Sequence, residues 1–288
     1  MAQLPAGLQG RVTKDNFGAS MPSYGPLYPA FVPGTGWQWL DTDIVMIDYT
    51  TDAEAAAEWL PAEASLIDIS IAPGQSAIKM IWANYRGGTL PPYKEVIQTI
   101  PCIFEDQLYL YVAQIWVDTD SAMTSGRELG GFPKKLGDIG MDFLGHTWHG
   151  YLARPANNRI AGFSFETTGK MLTVPLPADR TPVFPFPYNL ALPLPQPSGE
   201  AQPIPYVTLQ SRFIPNTTVG AEDPWSLAQL TAGVWTLEKG TLWAGDATLA
   251  FHRSEEDPLS LLPVNAVLSA MLFQGDMYLK DLAVVADL

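Results

Sequence analysis

Residues 95–117 read EVIQTIPCIF-EDQ-LYLYVAQIWV. Two runs rich in β-branched and aromatic residues, Glu95 to Phe104 and Leu108 to Val117, flank the polar break Glu105-Asp106-Gln107. That pattern predicts two strands joined by a hairpin turn. Working outward, Asp43 to Tyr49 (DIVMIDY), Leu66 to Ala72 (LIDISIA) and Ala77 to Tyr85 (AIKMIWANY) read as strands, the last broken by Gly87-Gly88. Between the first two, Thr51-Asp52 reads as an N-cap for the short Ala-rich helix AEAAAEWL, which Pro61 ends. Downstream, Asp118 to Arg127 reads as a loop with a helical turn. Gly140 to Val174, Val207 to Ile214 and Val234 to Phe251 read as further strands, and Pro263 to Lys280 as a strand or short helix followed by a closing strand.

Composition agrees with that reading. The chain of 288 residues carries 26 Pro and 24 Gly, a density that long helices do not tolerate but that suits short strands and turns. Hydrophobic residues make up 47% and charged residues 16%, so a packed core is expected, not a disordered chain. The net charge of −14 repels phosphate backbones, which argues against a nucleic-acid partner. A single cysteine, Cys102, excludes an internal disulfide framework and a cysteine-built zinc site. No apolar run is long enough for a membrane helix, and Met1 to Asp15 lacks the apolar stretch of a secretory leader, so a cytoplasmic protein is expected. Residues 1–41, with Tyr24, Tyr28, Phe31, Trp37 and Trp39, read as an irregular N-terminal arm packed on one β domain spanning 42–288. The Pro-rich stretch 175–205 reads as a structural crossing loop, with a partner-binding segment as the alternative.

Few generic motifs carry chemistry. His146 and His149 have metal-ligand spacing but lie in a strand-like stretch without a third ligand nearby, so no metal site is expected. Asp118 and Asp120 read as loop residues. Glu255-Glu256-Asp257 reads as a solvated turn, and Asn216-Thr217-Thr218 is a glycosylation sequon without meaning in the cytoplasm. The dense signal is Gly126 to Gly137, GRELGGFPKKLG. Two of the chain's eight lysines, Lys134 and Lys135, stand side by side there among apolar and tight-turning neighbours. An exposed basic turn is the ordinary meaning of such a pair. An amine held in an apolar pocket, however, resists the ammonium form, and the free amine is a nucleophile for ketones and aldehydes. In extended chain the two side chains point to opposite faces, so one enters the pocket and the other acts through space.

This segment resembles the signature of the acetoacetate decarboxylase family, roughly GRE(L/I)xx(Y/F)PKKLG. Supporting segments occur in the same order: Thr51-Asp52 to Pro61, Tyr93-Lys94-Glu95 with Ile100-Pro101, and Asp257-Pro258-Leu259 through Leu262-Pro263-Val264. The resemblance covers about residues 42–282. It implies a mainly β fold, an antiparallel barrel or cone with few short helices, assembled as a homo-oligomer and working without metal or organic cofactor. It implies Lys134 as the Schiff-base lysine, Lys135 as the neighbour that perturbs it, and Glu95 as the active-site carboxylate and proton shuttle. Tyr93 shares the face of Glu95 on a strand. Phe132 and Trp82 read as apolar pocket wall, or equally as core.

Two departures bear on the substrate. The family's early arginine has no counterpart in Leu40 to Asp43, and its second glutamate falls at Lys79 or Met80. Both weigh against acetoacetate itself and leave Arg86 and Arg127 as the nearest candidates to hold a substrate carboxylate. The aromatic-rich first half suggests a bulkier substrate. The expected activity is therefore lysine-imine chemistry on a small keto acid, foremost decarboxylation of a β-keto acid. The alternatives are aldol condensation and dehydration of a pyruvate-type substrate with an aldehyde, a small-molecule binding barrel without catalysis, and a partner-binding role for the Pro-rich stretch.

Overall fold

In the computed structural model the described residues are 37–67, 73–169 and 204–288. They begin with β1 (Trp37–Asp52), α1 (Ala53–Ala57), β2 (Ser65–Leu66) and β3 (Gln75–Gly88). The hairpin β4 (Tyr93–Phe104) and β5 (Gln107–Val117) follows, then α2 (Asp120–Ser125) and a π-helical turn (Gly126–Gly130). Next come β6 (Lys134–Leu136), β7 (Asp138–Leu144), β8 (Thr147–Ala153) and β9 (Arg159–Thr167). The last strands are β10 (Ile204–Pro215), β11 (Trp225–Phe251) and, after a 3₁₀ turn (Leu259–Leu261), β12 (Ala266–Asp287). The chain is mainly β, as the Pro and Gly content predicts. Residues 1–36 of the expected arm, 68–72 of the expected strand Leu66 to Ala72, 170–174 of the expected strand-like stretch Gly140 to Val174 and 175–203 of the Pro-rich stretch lie outside the described residues.

The strands lie in one sheet in the order β10-β5-β4-β3-β1-β12-β11, and β10 pairs with β11 as well as with β5. Those seven therefore close into a ring. From β11 the sheet runs on through β9, β8 and β7, and this extension packs against the outside of the ring. β1, β3 and β4 are consequently covered on both faces, which explains why Thr42 to Thr51 are all buried instead of alternating. On β1, Ile44 and Met46 face the ring interior beside Trp39, Ile81, Trp235 and Phe273. Val45 and Ile47 face the outer layer with Trp82, Trp116, Trp148 and Phe163. Register shifts at Gln98/Thr99 on β4 and at Trp39/Thr42 on β1 are bulges, which sharpen strand twist and help the sheet curl closed.

Several expectations are corrected. β1 starts at Trp37, so the last five residues of the expected arm belong to the barrel. The Ala-rich helix stops at Ala57. Asp52 is its N-cap residue but makes no capping side-chain bond, because its carboxylate accepts from Asn265 Nδ2 at 3.1 Å. β11 begins at Trp225, and Ala266–Asp287 is strand throughout. The hairpin turn is tighter than expected: Phe104 pairs with Gln107, and Glu105 and Asp106 both take positive φ, 47° and 59°, as in type I′ turns that match strand twist. The sheet is not purely antiparallel, since β6 and β10 both run parallel to β5. A parallel return requires a crossover, and α2 with the π turn is the crossover from β5 to β6. Among the described residues no helix is long and apolar enough to cross a membrane.

Candidate active site

The α2 crossover builds the site. Thr119 caps α2 by accepting from Ala122 N. The π turn ends at Gly131, whose φ of 73° closes the turn in the left-handed region that glycine adopts without strain. Phe132-Pro133 then lead into β6, which lays Lys134 beside Ile115 of β5. On the far side of β5, Val117 pairs with Glu95 of β4. Residues 39 positions apart in sequence are thus brought across two strand pairings into contact: Lys134 Nζ lies 2.6 Å from Glu95 Oε2, with the side chains only 7% and 5% exposed.

The other carboxylate oxygen is also occupied, because Tyr85 OH donates to Glu95 Oε1 at 3.1 Å. Tyr85 pairs with Tyr93 across β3 and β4, and Tyr93 OH accepts from Trp39 Nε1 at 3.0 Å. Lys134 Nζ sits 5.6 Å from the Tyr93 ring and 5.8 Å from the Phe132 ring, within cation–π range. Burial, with the Glu95 charge second, pushes the Tyr85, Tyr93 and Tyr206 hydroxyls well above their ordinary range, so they remain proton donors. Gly126 backs directly onto the lysine: a Cβ there would lie 2.5 Å from Lys134 Cε.

These groups line a cavity inside the ring. The cavity volume is about 60 Å³, several times the ~10–15 Å³ that one water needs. Apart from the Lys134–Glu95 pair its lining is chiefly apolar and aromatic, with a second cation, Lys79. Lys79 Nζ is 2.6 Å from Asp48 Oδ1, and Ser269 Oγ donates to Asp48 Oδ2 at 2.7 Å. Lys79 is four residues along β3 from Ala83, the partner of Glu95, hence ~13 Å away at the rise of a strand. Of the two positions matching the family's second glutamate, Lys79 faces the cavity and Met80 the outer layer.

Of the residues read from the sequence, Lys134, Glu95, Tyr93 and Phe132 meet in the cavity. Lys135 points to the opposite face, as extended chain requires. Its Nζ lies 2.7 Å from Asp257 Oδ1 and 5.0 Å from the Trp116 ring. Asp257 is fully buried, accepts from Trp116 Nε1 at 3.0 Å, and lies 3.0 Å from Arg154 Nε. It is therefore an anchor for three side chains and not the solvated turn its acidic neighbours suggest.

Three expected substrate contacts are corrected. Trp82 lies on the outer-layer face of β3, its ring 4.8 Å from Phe163. Arg86 is tied to Asp41 at 3.0 Å and to Asp43, outside the cavity lining. Arg127 is exposed, and its Nη1 donates to the Lys134 carbonyl at 3.2 Å, bracing the backbone of β6. Cavity residues that sequence reasoning did not single out include Trp39, Tyr85, Gly126, Tyr206 and Trp235. The alternation of Tyr85 with Tyr93 across a hairpin could have indicated that pair, whereas Tyr206 and Trp235 carry no local signal. Among the described residues no group of three or more His, Cys, Asp or Glu is placed to hold a metal ion.

Comparison with known proteins places the chain in a family. The chain is 27% identical to Decarboxylase DEC1 of Cochliobolus heterostrophus over 257 residues, covering 86% of this chain and 88% of that protein. It is 26% identical to acetoacetate decarboxylase of Chromobacterium violaceum, covering 90% and 92%. The structure of acetoacetate decarboxylase from Legionella pneumophila superposes with a TM-score of 0.69 at 20% identity, covering 94% of this chain and 98% of that one. The enduracididine biosynthesis enzyme MppR, complexed with pyruvate, superposes with a TM-score of 0.59 at 18% identity, covering 90% and 93%. These structures share the fold. The acetoacetate decarboxylase family model matches residues 20–288, and the chain is a member of that family.

Proposed function

We propose that this protein is a cofactor-independent decarboxylase of a β-keto acid that works through an imine on Lys134. The observation that carries this reading is the buried Lys134–Glu95 contact of 2.6 Å, with Tyr85 on the second carboxylate oxygen, at the wall of an apolar cavity. Proton transfer from Lys134 to Glu95 frees the amine to add to the substrate ketone. Loss of water gives a protonated imine. The bond to the carboxyl carbon then breaks, its electron pair moves into the imine to form an enamine, and carbon dioxide leaves. Glu95, whose first proton leaves with the water lost on imine formation, takes another from solvent and returns it to the enamine carbon, and one water hydrolyses the resulting imine to release ketone and amine.

Lys135 enters this reading as a positioning residue: its ion pair with Asp257 pins the outer side of β6 while Lys134 faces in. Self-association belongs to the same reading. The β10–β11 hairpin exposes Phe213 and Trp225, whose rings lie 5.0 Å apart, as a surface suited to a second copy. The cytoplasmic location also remains part of the proposal.

The test is borohydride trapping with acetoacetate, with pyruvate and with bulkier keto acids, followed by peptide mass mapping that separates Lys134 from Lys79. A decarboxylated adduct on Lys134 is expected, and it is expected to vanish in Lys134→Ala. Trapping of Lys134 by pyruvate, together with a condensation product when pyruvate and an aldehyde are incubated without borohydride, would instead favour the aldol reaction. Turnover surviving in Lys134→Ala overturns the imine mechanism. Glu95→Gln is expected to lower kcat by roughly 10²–10⁴ with little change in KM.

A further inference from the structure

Resting on that reading, we propose that the group on the substrate's ketone carbon is a flat aromatic ring, so that the acid is of the 3-aryl-3-oxopropanoate class and not a short aliphatic one. Phe132 and Tyr93 flank the Lys134 amine at 5.8 and 5.6 Å, and they are the two ends of one girdle of rings. From Phe132 the contacts run to Trp235 at 6.1 Å, to Trp39 at 5.3 Å, to Tyr85 at 5.7 Å and back to Tyr93 at 4.7 Å. Tyr206 lies nearly parallel to Trp235, 6.0 Å away with 6° between planes.

Most polar atoms of this girdle are already engaged. Tyr85 OH donates to Glu95, Trp39 Nε1 to Tyr93 OH, and Trp235 Nε1 to Thr208 Oγ1 at 2.9 Å, while Tyr206 OH lies 3.2 Å from Met277 Sδ. What the girdle offers a ligand is therefore ring faces and edges, which favour another ring in stacked or edge-on contact beyond the gain of burying its area.

The charges point the same way. Among the described residues the cavity lining contains no arginine, and its second cation, Lys79, is held by Asp48 at the far end. A carboxylate beside Lys134 thus faces apolar, ring-lined surroundings. Such surroundings disfavour the anion relative to neutral carbon dioxide and so favour cleavage over binding of the carboxylate. With 3-oxo-3-phenylpropanoate the amine adds to the ketone carbon with loss of water. The carboxyl bond then breaks to give enamine and carbon dioxide. One proton and one water release acetophenone and free Lys134.

The experiment measures kcat/KM for carbon dioxide release from 3-oxo-3-phenylpropanoate and from acetoacetate, alongside borohydride trapping of both. The phenyl acid is expected to be preferred by at least about tenfold, the scale on which a shaped apolar pocket discriminates. Trp235→Leu and, independently, Tyr206→Leu are expected to collapse that ratio. If both acids mark Lys134 and acetoacetate is turned over as well as the phenyl acid or better, the aromatic assignment is overturned while the imine reading stands. If neither acid marks Lys134, the imine reading falls and this assignment with it.

Discussion

At the scale of single residues, the site depends on how closely the backbone approaches one side chain. Gly126 leaves no room for a methyl group, since its Cβ would lie 2.5 and 2.6 Å from Lys134 Cε and Cδ. Gly126→Ala is therefore expected to displace the amine from Glu95 and lower kcat by at least about tenfold, since misplacement on the scale of 1 Å costs about a hundredfold. Single-turnover rates with borohydride trapping would check this, and an unchanged trapping rate would contradict it. Cys102 shows the opposite relation to chemistry. Burial, opposed by a hydrogen bond from the Tyr111 backbone, pushes its thiol up to about 12. Native protein is expected to resist a thiol-specific disulfide reagent at pH 8, with one equivalent reacting after denaturation. The lysine pair stood out at this scale by its apolar, tight-turning neighbours, and its role came from the resemblance of Gly126 to Gly137 to the family signature. Lys79 was reached only as one of two matching positions, because nothing near it in sequence shows that Asp48 and the cavity lie beside it.

At the scale of elements, β6 is the part that matters. Its three residues are clamped from both sides, by the parallel pairing with β5 and by Lys135 on Asp257. If that ion pair positions β6, Asp257→Asn lowers kcat and destabilises the protein by about 1–3 kcal/mol. This is less than the full cost of breaking a buried pair because Lys135 and Arg154 are partly exposed. If Lys135 instead acts only through its charge, the same substitution preserves or raises activity, so urea unfolding and steady-state kinetics on one variant separate the two. Strand alternation puts Trp82 and Tyr85 on opposite faces of β3, a relation readable from their spacing. Which face is the cavity was not, because β3 is covered on both sides and both sets are apolar. That is why Trp82 was expected at the site and Tyr85 overlooked.

At the scale of the whole molecule, the buried tyrosines set the alkaline limit of the fold. Tyr85, Tyr93, Tyr206 and Tyr49 are all raised, chiefly by burial. A group raised in the folded state contributes stability that is complete below its unfolded value near pH 10. That stability is lost as the pH climbs further, because the unfolded chain then releases protons that the folded chain keeps. The melting temperature is expected to fall above about pH 10. Absorbance at 295 nm should show part of the tyrosine ionisation delayed until unfolding. Smooth ionisation of every tyrosine near pH 10 in folded protein would contradict the burial described.

What the sequence determined by itself was whatever rests on short-range chemistry: the strand-and-turn composition, the 95–117 hairpin, and the lysine with its glutamate as family-like candidates. Only the tertiary structure decided the rest. Ring closure depends on β10, already paired with its hairpin neighbour β11, also joining β5, about 100 residues earlier in the chain. The aromatic girdle gathers its rings from β1, β3, β4, β10 and β11 and the approach to β6. The removal of Arg86, Arg127 and Trp82 from the cavity follows from which way each strand and turn faces. Each of these is a long-range relation, set by how the apolar faces of several strands are buried together, and no window of neighbouring residues contains it.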